Sequence, residues 1–420
     1  MRVPEEQATE KTQRAIVLVM ILGSLAAFGP LSIDMYLPAF PTIAGELRAS
    51  PSAVQLTLTA TILGLGLGGL FIGPMSDRYG RRRPLFIGLT FYVFASIACA
   101  LAPNVELLTL ARFVQGFAGA AGVVLSRAIA RDLHQGPQLA RFIATLLLVN
   151  GLAPILAPSI GSLVLRDLNW HGIFYVLAAF GVALLGFAAM SLRETLPAVD
   201  RNDGGLRSNL ATFKRLLLER SFVGYALTTG LGMAVMFAYI SGSSYVLQDV
   251  FGLSSGEYGL AFGANALGFV VVAQVGARFV LRTGPGLLLT VGLAGVFAAT
   301  ALLLAAILLK MPVEVVLPVL FLCIAVLGLV PSNAAALALN DQGNNAGSAS
   351  GLLNLLQFVF GGAVAPLVGL GGDDTALPMA VVMVTVAATA LLIRLTVVHP
   401  TKMRVRREQR ERAVQNVTVA

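Results

Sequence analysis

Residues 73–83 read GPMSDRYGRRR. Four arginines, one aspartate and two glycines are packed into this stretch, and an apolar run of membrane-crossing length lies on each side. The segment must therefore turn tightly between two helices. Pro74 can end regular hydrogen bonding in the preceding run, and Gly80 relieves the turn sterically. Arginines alone would make a plain basic turn on the side of a membrane where positive charge collects. An acid set between glycines calls for more, because a carboxylate there can bind backbone N–H groups or an arginine across the bundle. Gly73, Asp77, Arg78, Gly80 and Arg81 are accordingly the expected gating residues, with Asp77 and Arg78 stabilising one closed arrangement. The alternative is a topology signal only.

Working outward, the runs that flank this turn belong to a series of twelve: roughly 15–40, 52–74, 84–103, 107–128, 140–165, 170–192, 220–247, 257–281, 286–309, 313–337, 344–370 and 375–398. Each is about the 20 residues that span a bilayer as a helix. Mean hydropathy is +0.83 and only 12% of residues are charged, against about 25% for a soluble domain. The fold class is thus an all-α polytopic membrane protein. Residues 1–192 are expected to form one six-helix bundle, 193–219 a cytoplasmic linker, 220–398 a second bundle and 399–420 a basic cytoplasmic tail. The later linker, from Thr212 to Glu219, suits a short surface helix. A weak repeat supports two halves: a shift of 204 residues lays Arg78 on Arg282 and Gly80 on Gly284, while Asp77 falls on Leu281.

With a cytoplasmic amino terminus, 24 of the 29 lysines and arginines fall in inside segments and three in outside ones. Both termini are therefore expected in the cytoplasm. The net charge of +8 is this loop excess, so nucleic acid is not an expected partner. The tail RVRREQRER (404–412) suits anionic lipid headgroups. The amino-terminal stretch has no short apolar core with a cleavage site, so the first span itself is expected to direct insertion. Cys99 and Cys323 lie in apolar runs, and His134, His171 and His399 lack metal-ligand spacing. No phosphate-binding Gly-x-x-x-x-Gly-Lys-Ser/Thr loop is present. No metal or cofactor is expected, nor an enzyme's cluster of nucleophile and base.

Within the runs, ionisable residues stand out because they are expensive there. LSIDMYLPAF (31–40) holds Asp34 and Tyr36, and ARFVQGFAGAAG (111–122) holds Arg112 and Gln115. The topology puts Asp34 and Arg112 at similar depth in the outer half of the membrane, which makes them candidates for proton coupling with Gln115. A structural salt bridge, or plain helix packing along Gly116, Gly119 and Gly122, are the alternatives. Pro154 and Pro158 in span five can bend that helix for gating or sit passively in a stable kink, with Asn150 nearby. Tyr36, Asn150, Met236, Tyr239, Asn265, Asn354, Gln357 and Phe358 are the candidate substrate contacts, few of them charged. Such walls suit small, mostly hydrophobic compounds.

GPMSDRYGRRR resembles the signature between spans two and three of the major facilitator superfamily. RFVQGFAGA (112–120) is similar to the span-four signature of its proton-coupled drug exporters, and NGLAPILAPSIGS (150–162) resembles the span-five antiporter signature in a Pro-rich form. Together with SIDMYLP (32–38) and GNNAGSASGLL (343–353), these resemble the Bcr/CflA branch of bicyclomycin and chloramphenicol exporters. The resemblance implies the major facilitator fold and a monomeric antiporter in a bacterial cytoplasmic membrane. It would be driven by the proton gradient without cofactors, and would export small hydrophobic drugs or metabolites. Asp34 would handle the proton and Arg112 would couple it. An importer of a small organic solute on the same scaffold is the alternative.

Overall fold

The first residues of the helix Pro51–Tyr79, α4, illustrate how these helices begin. Ser50 Oγ accepts a hydrogen bond from the Ala53 amide, and Pro51, which has no amide hydrogen to lose, takes the first helical position. Asn104 caps α6 in the same way, accepting from the Leu107 amide at 2.9 Å. The computed structural model describes residues 18–398 apart from 135, 202–205, 341, 343–345, 371 and 373. The basic tail, residues 1–17 and the start of the 343–353 stretch lie outside the described residues.

The helices are α1 (Leu18–Ala26), α2 (Phe28–Asp34), α3 (Phe40–Glu46), α4 (Pro51–Tyr79), α5 (Arg82–Ala100), α6 (Val105–Leu133), α7 (Gly136–Ser191), α8 (Leu206–Leu218), α9 (Arg220–Tyr245), α10 (Ser255–Thr283), α11 (Pro285–Leu308), α12 (Val313–Leu327), α13 (Val330–Leu339), α14 (Ala346–Gly369) and α15 (Leu377–Ile393). Helix α8 includes the 212–218 part of the linker, as expected for a short helix there. Gly80 ends α4 at φ 88, ψ 167, and Gly284 opens α11 at φ 75, ψ 153. Two glycines 204 residues apart thus share one conformation that other residues rarely adopt.

The expectation of twelve spans needs correction. Among the described residues ten helices are long and apolar enough to cross a membrane, or eleven when the pair α1 and Phe28–Glu46, bent by 41°, counts as one span. The difference arises in α7, where two expected spans lie in one element. Its apolar part, Leu148–Ser191, has 44 residues, which at ~1.5 Å each is roughly twice a hydrocarbon core. The break within it is at Asn169, with φ 53 and ψ −171, and not at Pro154 or Pro158, through which the helix continues. Asn169 Oδ1 accepts from the His171 amide at 3.0 Å and so caps the second half.

Large apolar side chains face outward along these helices, among them Phe91, Phe94, Leu110 and Leu260. Helices that are apolar all round need lipid on the outside, and their backbone groups bond internally as a bilayer demands. Contacts divide the chain into two compact units. One holds the residues up to Leu206 with Ile240–Leu267 and Ala365–Pro378, and the other holds Arg207–Tyr239, Gly268–Val364 and the residues from Met379.

In the first unit, α4 and α6 approach through glycine. A Cβ on Gly64 would collide with the Phe113 carbonyl oxygen, one on Gly68 with that of Phe117, and one on Gly116 with that of Thr61. The expected glycine stripe of α6 meets three different neighbours: Gly116 faces Thr61 on α4, Gly119 faces Tyr92 on α5 and Gly122 faces Leu25 on α1. In the second unit, Gly328 packs in the same manner on the Phe269 carbonyl, and Gly361 on the Phe237 ring. A Gly116→Val protein should lose about 1–3 kcal/mol of stability, read as a lower thermal midpoint in detergent. Gly186→Ala, with no atom within 4 Å of the new methyl, should match the parent. An unchanged midpoint for Gly116→Val would overturn the close-packing account.

Candidate functional site

Arg112 is completely buried, one and a half to two turns into α6. Its Nη1 donates to Gln115 Oε1 at 2.6 Å and its Nη2 to the Ser32 carbonyl at 2.8 Å. The guanidinium carbon lies 4.0 Å from the Tyr36 ring centroid and 5.5 Å from that of Phe174. The cation is thus held by an amide, a carbonyl and two ring faces. A stacked cation shielded from water gains about 2 kcal/mol from such a ring.

The partners are fixed in turn. Gln115 Nε2 donates to Ser96 Oγ at 2.8 Å, which settles the amide's orientation, and Ser96 Oγ donates to the Tyr92 carbonyl. Ser32 Oγ and the Tyr92 hydroxyl share a hydrogen bond of 2.7 Å. Thr57 Oγ1 gives its hydrogen to the Val54 carbonyl, so the Tyr36 hydroxyl must donate to Thr57, at 2.6 Å. Residues from α2, α4, α5 and α6 therefore meet around one charge.

Asp34 is buried too, but its Oδ1 has no hydrogen-bond partner among protein groups. Among the described residues no ion pair joins it to Arg112. Helical periodicity explains why. Ser32 and Tyr36 are four apart and share the face that meets Arg112, whereas Asp34, two residues on from Ser32, is turned some 200° away. Arg112 thus meets the first span at Ser32 and Tyr36, on the face that Asp34 turns away from.

Beyond Asp34 the first span loses its α-helical bonding. Met35 and Tyr36 form a turn and Leu37–Ala39 a single 3₁₀ turn before α3 resumes. Pro41 has no amide hydrogen, so the Leu37 carbonyl accepts from the Phe40 amide in the 3₁₀ turn instead of from an α-helical donor. Ser244 Oγ of α9 donates to it at 2.6 Å. Gln248 Nε2 donates to the Pro38 carbonyl at 3.2 Å and Tyr245 OH to the Phe40 carbonyl at 3.4 Å. Gln55 Nε2 of α4 donates to the Ser241 carbonyl at 3.1 Å. Within the first unit, then, the far part of α9 is laced to the broken segment of the first span.

The 73–83 turn sits at the other end of α4. Arg81, not Arg78, is its centre. Buried Arg81 donates through Nη1 to Asp77 Oδ1 and to Ser76 Oγ, and through Nε to Asp132 Oδ2 at 2.9 Å. Thr195 Oγ1 joins Asp132 at 2.9 Å. Glu194 accepts from the Arg81 amide at 2.8 Å and the Arg82 amide at 3.2 Å. Its carboxyl titrates below the usual range: partial burial pushes it up, but the amides of Leu196, Arg81, Arg82 and Thr195 outweigh that. Gly80 lies against Glu194, where a Cβ would meet Oε2 at 2.5 Å. Arg78 is exposed, its guanidinium 5.4 Å from the Tyr79 ring, and Gly73 is half-buried on α4. Asp132, Glu194 and Thr195 were not singled out in the sequence. The only signal for them was acids at the far ends of α6 and α7, on the membrane side where the arginines lie.

Comparison with known proteins decides the family. The pattern of the Major Facilitator Superfamily matches residues 22–366. The chain belongs to the major facilitator superfamily. It is 41% identical over 379 residues to an uncharacterized MFS-type transporter, YdgK, of Bacillus subtilis, covering 90% of this chain and 94% of that one. It is 32% identical over 365 residues to a bicyclomycin resistance protein homolog of Haemophilus influenzae, covering 86% and 91%. Among solved structures, that of a D-xylose-proton symporter superposes with a TM-score of 0.71 over 91% of this chain and 97% of that one, at 16% identity, a likeness of fold. The protein is a multi-pass transporter of a bacterial inner membrane, not an enzyme. Among the described residues no group of three or more metal-ligating side chains converges.

The remaining candidates are dispersed over the transporter's two units. Tyr36 belongs to the Arg112 network and Asn150 is half-buried on α7. Asn265 is buried in the first unit. In the second, Tyr239 is buried, Met236 and Gln357 are half-buried, and Asn354 is exposed. Phe358 lies 6.4 Å from Phe237, centroid to centroid.

Two outcomes follow from the geometry. Arg112→Lys leaves one point charge to replace two donors and a stacked plane, so stability should fall by about 1.5–3 kcal/mol, measured by thermal unfolding; an unchanged midpoint would refute the planar network. Because the folded Glu194 carboxyl titrates low, its stabilisation is present above the ordinary glutamate range and is lost as pH falls through the depressed folded value. Glu194→Gln should therefore unfold earlier than the parent at neutral pH and converge with it in acid. A gap that persists in acid would point to packing instead.

Proposed function

We propose that this protein is a proton-coupled transporter of a small organic solute, working by alternating access with Asp34 as the proton carrier. The observation that carries this reading is the pair of buried charged residues that do not neutralise each other. Arg112 places its two terminal amino groups on neutral acceptors and leaves only Nε unpaired, whereas Asp34 has a carboxyl oxygen that no protein group fills. A carboxyl in that setting needs a proton, water or a cationic partner, and a proton is the one that a gradient can deliver and remove. Arg112 and Gln115 then couple through the backbone: the Ser32 carbonyl and the Tyr36 ring are two residues either side of Asp34, so a shift of the first span on protonation is felt at the guanidinium.

The reading counts α7 as two spans, one on each side of Asn169, and so has twelve in two six-helix halves, 1–192 and 220–398, joined by the 193–219 linker. Both termini and the 399–420 tail are cytoplasmic, and the protein works as a monomer among anionic lipids. Gly73, Asp77, Arg78, Gly80 and Arg81 form the cytoplasmic gate, with Pro154 and Pro158 shaping the helix that flexes. Tyr36, Asn150, Met236, Tyr239, Asn265, Asn354, Gln357 and Phe358 contact the solute.

Export of a drug-like hydrophobic compound, as in the Bcr/CflA branch, is supported by the name of the Haemophilus influenzae relative. Import of a small solute is supported by the resemblance to the D-xylose-proton symporter, which at 16% identity is one of fold. Flux decides between them. Inverted vesicles given an acid interior should accumulate the solute and release protons if the protein exports. Proton-driven uptake confined to right-side-out vesicles would establish the importer. Asp34→Asn should abolish solute-dependent proton movement in either case while downhill solute exchange survives, and coupled flux at the parent level would sink the proton-carrier role.

A further inference from the structure

At the end of α4 opposite the Arg81 turn, a cavity of about 700 Å³ is lined by Glu46, Ala100, Asn169, His171 and Tyr175 among others. The 29 residues of α4 set the two ends about 43 Å apart. His171 stands just beyond the Asn169 break with 29% of its side chain exposed. Both ring nitrogens face acceptors. Nδ1 lies 2.6 Å from the Ala100 carbonyl, and Nε2 lies 3.1 Å from Glu46 Oε1. A carbonyl can only accept, so Nδ1 carries a hydrogen. A neutral ring would then turn the bare lone pair of Nε2 toward a carboxylate. Only the imidazolium donates to both. The other oxygen of Glu46 accepts from Trp170 Nε1 at 2.7 Å, and the Trp170 and His171 rings stack with centroids 3.7 Å apart.

We propose that Glu46, Trp170 and His171 form a second proton-binding site, separate from Asp34, that clasps three elements of the first unit when the solution at this face is acid. The proton adds at Nε2 and forms the N–H···O bond to Glu46. The bond ties the end of α3 to the end of α5 and to the second half of α7. Glu46 is the charge that faces the ring. The 100–103 turn brings no titratable side chain, and Tyr175 lies one turn along the ring's own helix. Arg166 and Asp167, before the break, are exposed and 3.8 Å from each other. Loss of the proton would leave Glu46 to Trp170 alone and free the turn. Under the orientation proposed above this face is the outer one, but the clasp does not require that orientation or any transport activity.

Trp170 is the only tryptophan in the chain, so its fluorescence reads the clasp directly. The full-length protein in nanodiscs should show one single-proton transition in Trp170 emission across the range where imidazole titrates, with emission lower on the acid side because imidazolium quenches a stacked indole. His171→Gln should lose the transition. Glu46→Gln, which takes away the carboxylate that accepts the Nε2 hydrogen, should shrink its amplitude. Asp34→Asn should retain it unchanged, which separates this site from the proton-carrier role. Flat emission across that range, or the same transition in His171→Gln, would overturn the proposal. Should His171→Gln fail to fold, Glu46→Gln decides alone, and a transition of undiminished amplitude there overturns it.

Discussion

The buried guanidinium of Arg112 is the constraint on which the first unit depends. A cation removed from water without a carboxylate must collect every available neutral acceptor, and the surroundings are arranged to supply them. Gln115 is three residues along the same face, Ser96 orients Gln115, Tyr92 holds Ser32, and Tyr36 lends its ring. Each side chain in this set is placed by another, so four helices share one register. The glycines bring them close enough: without Gly64, Gly68 and Gly116 the backbones of α4 and α6 could not approach as they do. Packing and polar satisfaction are here one requirement, since small residues at an interface and buried hydrogen bonds both depend on close helices.

The prolines of the first span extend the same logic. A proline in a membrane helix leaves a carbonyl that must be satisfied from elsewhere. Pro41 withholds the α-helical donor from the Leu37 carbonyl, which accepts instead from the Phe40 amide and from Ser244 Oγ of α9. Beside it, Gln248 reaches the Pro38 carbonyl in the short 3₁₀ turn and Tyr245 that of Phe40 at the start of α3. The irregular segment begins just after Asp34. The site that lacks a partner for its carboxyl and the site where helix bonding is handed to another helix are therefore adjacent in the chain.

Much of this was legible in the sequence, and the misses have physical causes. Apolar runs and basic turns gave the helices because a bilayer admits little else, and Asp34 and Arg112 stood out because charge is expensive there. Depth follows from residue count, but rotation about the helix axis does not. That is why Asp34 and Arg112 were placed at one level while their facing was left open. The split of α7 at Asn169 falls where the sequence separates the 140–165 and 170–192 runs, although no proline or glycine marks it, only an asparagine holding an unusual backbone through its bond to the His171 amide. Arg81 outranks Arg78 in the turn because it is buried among Asp77, Ser76 and Asp132, whose convergence needs three chain segments. His171 was set aside for lacking metal-ligand spacing, a test blind to partners 71 and 125 residues away.

The two ends of the first unit are fastened by different chemistry, and this bears on which of them can yield. At the Arg81 end the bonds are charge-assisted, worth about 1.5–3 kcal/mol each, and one guanidinium serves several acceptors at once. At the other end, α9 is held to the first span by hydroxyls and amides on carbonyls, each worth about 0.5–1.5 kcal/mol. Ser244, Tyr245 and Gln248 make three such bonds to the first span, and Gln55 of α4 adds a fourth to the Ser241 carbonyl, a total of a few kcal/mol, which is the size of gap that separates interconverting states of one protein. Lacing of that strength holds the segment after Asp34 in place with a few kcal/mol, a free energy comparable to what one protonation or one bound solute can supply. A charged network in its place would have locked the same segment against the small free energies a carrier has to work with.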